Sequence, residues 1–135
     1  MALAGGWPGG ANGGEAGTRI VLFGARWCAP CAAELQALPQ IRAAAEDDRL
    51  ELAWLDALPA LPPEAGGTPV IPPRQAAALA EAIAGQGYGL PFTVRFHADG
   101  RACAIWKAPL RPANIAELRR RCAVSGASAS WPPQG

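Results

Sequence analysis

The sequence predicts a single α/β domain, in which a mixed sheet of four strands lies between two layers of helices. An apolar run at residues 20–23 is followed by a helical pattern and a second strand pattern, which together predict a βαβ unit. Two later strand patterns joined by an Asp-Gly turn predict a hairpin, and an amphipathic segment after them predicts a last helix. The 135 residues, 50% of them hydrophobic, are enough to bury one such core.

The first half of the chain contains the βαβ unit. Residues 20–23 do not alternate with polar residues, which favours a central strand covered on both faces. A helix is predicted from residue 28 to about residue 45, and Pro39 is expected to kink it. Alternation over residues 50–56, with Glu51 among its polar positions, indicates a strand that has one wetter face. A right-handed crossover is the default connection between two such strands.

The second half predicts a helix followed by a ββα unit. Residues 59–73 are rich in Pro and Gly and are interpreted as a loop, and a short helix follows over residues 74–84. Alternation over residues 90–97 predicts the third strand, and residues 103–106 return as the fourth. The last helix is predicted from three residues that share one helical face: Ile115, Leu118 and Cys122.

The two ends of the chain differ from this domain in composition. Residues 1–17 are dominated by Gly and Ala and predict a flexible arm, whereas residues 124–135 carry Ser, Gly and Pro and predict a disordered tail. The folded domain is therefore expected over residues 18–123. A net charge of +1 gives no electrostatic reason to expect nucleic acid. Neither a membrane span nor a secretory signal is visible, so no membrane contact is expected from this chain.

The segment that carries chemistry is Trp27-Cys28-Ala29-Pro30-Cys31, which lies between the first strand and the first helix. This order places Cys28 at a helix N-terminus, where unpaired N–H groups and the macrodipole favour a thiolate. Cys28 is therefore the candidate nucleophile of thiol–disulfide exchange, and Cys31, one turn deeper, is the candidate resolving thiol.

Half of a structural zinc site is the alternative interpretation of this cysteine pair, because Cys-x-x-Cys can supply two of four tetrahedral ligands. A second pair at such a spacing is absent, since Cys103 and Cys122 are far apart and His97 is the only histidine. Redox chemistry is therefore favoured, with no metal and no organic cofactor. His97 is given no role.

The chain resembles the thioredoxin superfamily over roughly residues 18–122. The sequence motifs are most similar to those of its TlpA-like branch. One is the run Phe23-Gly24-Ala25-Arg26-Trp27-Cys28-Ala29-Pro30-Cys31 with Glu34, and the other is Gly89-Leu90-Pro91 ahead of Asp99-Gly100-Arg101. The resemblance implies a thioredoxin-like three-layer α/β/α sandwich. It also implies that Pro91 is cis and that Leu90 and Pro91 contact substrate. Trp27 is expected either to form part of the docking surface, which the resemblance favours, or to anchor the loop on the core.

The sequence departs from this family pattern in three places. Leu22 stands where thioredoxins commonly have a buried Asp, so a familiar proton acceptor is missing. Glu34, one turn after Cys31, is the candidate replacement, although its spacing equally suits a solvated helix face. Pro39 comes later than the usual helix-kinking proline, and the extra first strand of thioredoxin has no counterpart before Thr18.

The other two cysteines, Cys103 and Cys122, leave two interpretations open. The strand that leads away from Cys103 and the helix that leads back to Cys122 have nearly equal lengths, so a structural disulfide could join them. Two small buried hydrophobic residues are the alternative.

The function expected from these observations is a thiol–disulfide oxidoreductase that acts on protein disulfides or dithiols and is recycled by a redox partner protein. Ala29 and Pro30 add no charge or donor to stabilise the thiolate, which favours a reductant. A monomer is expected. The TlpA-like resemblance implies the bacterial periplasm, provided that a leader or anchor was trimmed, with the cytoplasm as the alternative. A non-catalytic module that binds a metal ion or docks a partner through the same loop is the second hypothesis.

Overall fold

The computed structural model describes residues 17–125, which form one five-stranded mixed sheet with helices on both faces. The strands are β1 (Arg19–Gly24), β2 (Arg49–Trp54), β3 (Val70–Ile71), β4 (Phe92–Phe96) and β5 (Ala102–Trp106). The helices are α1 (Ala29–Gln36), α2 (Leu38–Ala45), α3 (Pro73–Ala84) and α4 (Ile115–Ser125), with short 3-10 turns at Pro63–Ala65 and Pro112–Asn114. The predicted arm and tail, and any strand before Thr18, lie outside the described residues except at their margins.

The strand order is β3-β2-β1-β4-β5, which places β1 at the centre of the sheet. β1 runs parallel to β2 and antiparallel to β4. Ile20 and Leu22 point into the core under α1, α2 and α4, whereas Val21 and Phe23 point into the core under α3. Side chains of this size stabilise the fold by about 1.5–3 kcal/mol each when fully buried. The predicted central, doubly covered strand is confirmed.

The prediction of four strands is too low by one. Val70 and Ile71 pair in parallel with Leu52 and Ala53 and add the edge strand β3. The sequence shows only a loop here because two residues are too few for a periodic pattern and prolines flank them. Proline is tolerated at a sheet edge, where one side of the strand needs no ladder partner.

The single helix predicted from residue 28 to about residue 45 is two helices, which meet at Ala37. Pro39 lies in the first turn of α2, where its missing N–H needs no partner. The chain is therefore interrupted ahead of the proline instead of being kinked at it. None of the helices between residues 17 and 125 has both the length and the apolar character needed to cross a membrane.

The wetter face predicted for β2 is also wrong, because Glu51 is fully buried. Its Oε2 atom lies 3.0 Å from Arg49 Nε and 3.8 Å from Arg19 Nη1. Burial raises the pKa of Glu51, and the charge of Arg19 opposes that rise. Two cations on neighbouring strands therefore accompany an acid that the alternation pattern had placed towards solvent.

Asp48 joins several elements at the end of the sheet where β1 and β2 begin. Its buried carboxylate accepts hydrogen bonds from Thr18, from Arg95 at 3.0 and 3.1 Å, and from Arg119 at 3.4 Å. Burial pushes the pKa of Asp48 upward, but the bonds from Arg95 and Thr18 outweigh it and leave this pKa below its usual value. The cluster joins the starts of β1 and β2 to β4 and α4. It therefore helps to fix the register of these strands.

Candidate active site

The Cys28–Cys31 pair lies where β1 gives way to α1. Gly24 ends β1, and a tight turn at residues 25–28, closed by a 3.1 Å bond from the Cys28 N–H to the Ala25 carbonyl, leads into the helix. Cys28 is the N-cap residue, with extended backbone angles of −96° and 107°. Its Sγ atom accepts the N–H of Cys31 at 3.2 Å. Sulfur therefore takes the capping position that Ser or Asp commonly fills.

The two thiols are joined as a disulfide, with their Cα atoms 5.2 Å apart. Cys28 is 4% exposed and Cys31 is fully buried, so the bridge presents the Cys28 side to solvent. After reduction, the N–H groups at the start of α1 would stabilise negative charge on Cys28 in preference to Cys31. The two cysteines are thus chemically distinct although only two residues separate them.

Of the residues that the resemblance assigned to substrate binding, Trp27 is exposed, Leu90 is half-buried and Pro91 is buried. Trp27 is 74% exposed, so its side chain does not anchor the loop on the core. Leu90 is half-buried and packs against the core that contains Cys28 and Cys31. The Leu90–Pro91 peptide bond is cis, the isomer that the resemblance implies. Both residues precede the first register pair of β4, Phe23 with Phe92, so their backbone lies beyond the paired part of the strand.

Glu34 is buried on α1, one turn after Cys31, and is 3% exposed. The interpretation as a solvated helix face is therefore wrong. Its Oε2 atom accepts the backbone N–H of Leu110 at 2.5 Å, while Oε1 has no hydrogen-bond partner among the described residues. Burial raises the pKa of Glu34 to about 8, and the bond from Leu110 opposes this rise. A carboxyl group with such a pKa can take up and release a proton near neutral pH.

Trp54 lies close to the disulfide and was not predicted to belong to the site. A Cβ atom on Gly24 would lie 2.5 Å from Trp54 Cη2 and 3.0 Å from Cys31 Cβ, so only glycine allows the indole to pack here. Trp54 is fully buried, and its Nε1 has no hydrogen-bond partner within residues 17–125. Leu22 is fully buried in the same core. The indole of Trp54 therefore packs close to Cys31, in the core that also contains Leu22.

Cys103 and Cys122 form a second disulfide, with their Cα atoms 4.9 Å apart, so the interpretation as two free buried residues is wrong. The bridge joins the beginning of β5 to the later part of α4. The end of β5, by contrast, leads into the loop that contacts Glu34. The second bridge is therefore at the far end of the sheet from the first. Among residues 17–125, no group of three or more His, Cys, Asp or Glu side chains could hold a metal ion.

No protein-family model matches the sequence, and no curated protein is significantly similar to it. Solved structures do match. A thioredoxin-family thiol:disulfide interchange protein from Chlorobium tepidum superimposes with a TM-score of 0.57 and 20% identity, over 83% of each chain. A DsbF homologue from Corynebacterium diphtheriae gives 0.55 and 17%, over 78% of this chain and 71% of that one. A secreted thiol-disulfide isomerase from Corynebacterium glutamicum gives 0.51 and 17%, over 80% and 72%.

These similarities show the class of fold. The described residues have the thioredoxin-like arrangement of a mixed sheet between helical layers, in agreement with the predicted fold class. The Cys-x-x-Cys disulfide lies at the junction of the central strand and the first helix. Identities of 17–20% support the shared fold, and the chemistry of this chain is argued below from its own residues.

Proposed function

We propose that this protein is a thiol–disulfide oxidoreductase that exchanges disulfides with protein substrates through Cys28 and Cys31. The observation that carries the proposal is the disulfide at the N-terminus of α1, in which Cys28 Sγ caps the helix and accepts an N–H at 3.2 Å. This position favours the thiolate that exchange requires. The neighbouring structures bear names of proteins with this chemistry, which supports the same conclusion.

In the proposed reaction, the reduced protein transfers two electrons to a substrate disulfide. The Cys28 thiolate attacks one substrate sulfur, a mixed disulfide forms, and the other substrate sulfur leaves as a thiolate. Cys31 then loses its proton and attacks Cys28, which releases the second substrate sulfur and closes the Cys28–Cys31 bond. The released thiolates take up protons, so one disulfide is reduced to two thiols while the enzyme dithiol is oxidised to a disulfide.

Glu34 is the proposed acceptor of the Cys31 proton. Residues three apart on a helix are neighbours, with Cβ atoms about 5–6 Å apart, so the carboxyl group is within reach of Cys31 directly or through one water. Its raised pKa, about 8, matches proton transfer near neutral pH. Leu22 on β1 supplies no acid, and Asp56, whose Oδ1 accepts the Arg26 N–H at 2.8 Å, is only half-buried, which favours the buried Glu34 for this role.

Substrate is proposed to bind across Trp27, Leu90 and Pro91. Trp27 offers an exposed aromatic ring beside Cys28, and the backbone of Leu90 lies beyond the paired part of β4, where an extended substrate segment could bond to it. The large exposed hydrophobic side chains within residues 17–125 are Trp27 and Val70, which supports a monomer.

We propose that the protein acts as a reductant in an oxidising compartment outside the cytoplasm. Ala29 and Pro30 add no charge or donor that would stabilise the Cys28 thiolate further, which favours reduction over oxidation of substrates. Cys103–Cys122 is a buried second disulfide, and such bridges persist in secreted and periplasmic proteins. A partner protein would return electrons to the Cys28–Cys31 pair, and no metal or organic cofactor is needed.

Turnover of insulin disulfides by the purified protein tests the proposal. We expect Cys28→Ser to reduce turnover to the background rate and Cys31→Ser to accumulate a mixed disulfide, visible by mass spectrometry. Cys103→Ser/Cys122→Ser is the matched control and should retain turnover at temperatures where it is folded. Turnover that survives in Cys28→Ser would refute the proposal. Stoichiometric metal on the reduced wild type without any turnover would instead support the non-catalytic module.

A further inference from the structure

The buried carboxyl group of Glu34 is held by a single peptide group, the one between Pro109 and Leu110. Its N–H donates to Glu34 Oε2 at 2.5 Å, and the carbonyl of the same peptide group accepts the indole N–H of Trp106 at 3.4 Å. One amide therefore connects an aromatic side chain at the end of β5 to the acid on α1. Alignment of bonds on both sides of an amide polarises it and strengthens both bonds.

This peptide group is fixed from three directions. Trp106 holds its carbonyl, and the Leu110 side chain is 2% exposed. On the C-terminal side, the Arg111 N–H donates to Asn114 Oδ1 at 2.9 Å, and the Asn114 N–H donates to the Arg111 carbonyl at 2.8 Å. The bond from Trp106 to the amide carbonyl and the closed turn on the C-terminal side thus aim the Leu110 N–H before any reaction takes place.

Trp106 is itself held by α4. The guanidinium of Arg121 lies 4.9 Å from the centre of the Trp106 ring, and Arg121 Nη1 donates to the Ile105 carbonyl at 3.1 Å. The adjacent Arg120 bonds to Glu117 and, among the described residues, makes no contact with Trp106. Two neighbouring arginines therefore differ in whether they contact this indole.

The geometry points to a role for this loop in the proposed reaction: Trp106 and Asn114 are positioning residues, and the peptide group that they fix makes Oε1 of Glu34 the oxygen that carries the proton. The inference rests on the proposed function. A protonated carboxyl keeps one good acceptor oxygen, and the Leu110 N–H occupies Oε2, so the hydroxyl is left on Oε1. Oε1 is buried without a partner in the described residues, which leaves it open to exchange a proton.

Both the donor and the acceptor atom of the proton transfer are then specified. The Cys31 thiol gives its proton to Oε1 of ionised Glu34, the thiolate attacks Cys28 in the mixed disulfide, and the substrate thiolate leaves. Glu34 afterwards releases the proton to water. Of the charged residues near this loop, Lys107 and Arg111 are exposed and Glu117 is half-buried, and no charged side chain in residues 17–125 contributes to the shift in the pKa of Glu34.

The test combines carbon-13 NMR titration of the Glu34 carboxyl with single-turnover resolution of the mixed disulfide across pH. Trp106→Phe keeps an aromatic ring but removes the indole N–H, and Asn114→Ala removes the acceptor for the Arg111 N–H. In both variants we expect the pKa of Glu34 to rise by about half a pH unit, because the Leu110 bond favours the ionised form. We also expect resolution at neutral pH to slow by about threefold, with its pH midpoint shifted upward.

Asn114→Ser retains an oxygen acceptor without adding a charge and should bring the titration back towards wild type, and Arg120→Ala is the matched control that should leave it unchanged. An unchanged Glu34 titration in both Trp106→Phe and Asn114→Ala would overturn the inference. So would wild-type resolution rates in Glu34→Gln at every pH, where we expect a loss of about 100-fold. Either result, in a protein whose turnover still requires Cys28, would leave disulfide exchange through Cys28 and Cys31 standing, whereas turnover in Cys28→Ser would refute that function itself.

Discussion

The two disulfides are nearly equal in burial and opposite in setting. Cys28 and Cys31 are 4% and 0% exposed, and Cys103 and Cys122 are 1% and 4% exposed. Cys28, however, caps the start of α1, whereas Cys122 lies near the end of α4, where the macrodipole disfavours a thiolate. The helix end beside a sulfur, more than the exposure of that sulfur, therefore separates a bridge suited to exchange from one suited to stabilise the fold.

Reduction of both bridges in the folded protein tests this difference most strongly. A small thiol reductant should open Cys28–Cys31 at least about 100-fold faster than Cys103–Cys122, because the N–H groups at the start of α1 stabilise the negative charge that develops on the attacked Cys28 sulfur. Quenching with an alkylating reagent and mass spectrometry would give both rates. In denaturant the two rates should converge, which serves as the control. Equal rates in the folded state would contradict the proposed importance of the helix end.

The second bridge should matter most for stability. Cys103 and Cys122 are 19 residues apart, and closing a loop of that length stabilises a fold by about 3 kcal/mol on the chain-entropy model. Cys103→Ala/Cys122→Ala should lose about this much in denaturant unfolding, while Cys28→Ala/Cys31→Ala, with its short loop, should lose about 2 kcal/mol or less. A larger loss in the second variant would reverse the assignment of the two bridges.

Glu34, which lies close to the first bridge and far from the second, makes the stability of the protein depend on pH. The pKa of Glu34 is raised in the folded state, so that state binds more protons than the unfolded chain between about pH 5 and about pH 8, and stability falls as pH rises through this window. Glu34→Gln should remove that contribution and gain roughly 3–4 kcal/mol on wild type between the two limits. Unfolding at several pH values measures it, with exposed Glu64→Gln as the control. A constant difference across the window would argue against the raised pKa.

Trp27 should give the smallest effect on the fold. Its exposed ring packs little, so Trp27→Ala should change the free energy of unfolding by less than about 0.5 kcal/mol. If the ring contacts substrate, the KM for insulin should rise a few-fold. Val70→Ala, which trims the other large exposed hydrophobic side chain of the described residues, should leave KM unchanged. An unchanged KM in Trp27→Ala would remove Trp27 from the proposed binding surface.

Much of the fold could be predicted from the sequence because its signals are local. The unbroken apolar run of β1, the Cys-x-x-Cys turn and the hairpin at Asp99 and Gly100 each define an element within a few residues. β3 could not be predicted, because Val70 and Ile71 form a strand only by pairing with β2. The buried state of Glu51 was missed for a related reason, since Arg19 approaches it from a neighbouring strand.

The site was predictable where it is contiguous in sequence, and where the family resemblance pointed to a second segment, as for the cis bond before Pro91. Cys28 and Cys31 follow from their spacing, but the environment of Glu34 depends on Leu110, which is 76 residues away. The same spacing of Glu34 from Cys31 fits a solvated face and a buried one, and tertiary packing decides between them. Trp54 escaped notice because alternation along β2 does not reveal which residue its ring covers.

The packing of Trp54 against Gly24 and beneath Cys31 gives the molecule an optical property. A sulfur–sulfur bond quenches the emission of an indole close to it, and opening the bond relieves the quenching. With its four other tryptophans replaced by phenylalanine, the protein should brighten on reduction and dim on oxidation. Its own ultraviolet fluorescence would then follow each electron transfer in real time, with no dye attached.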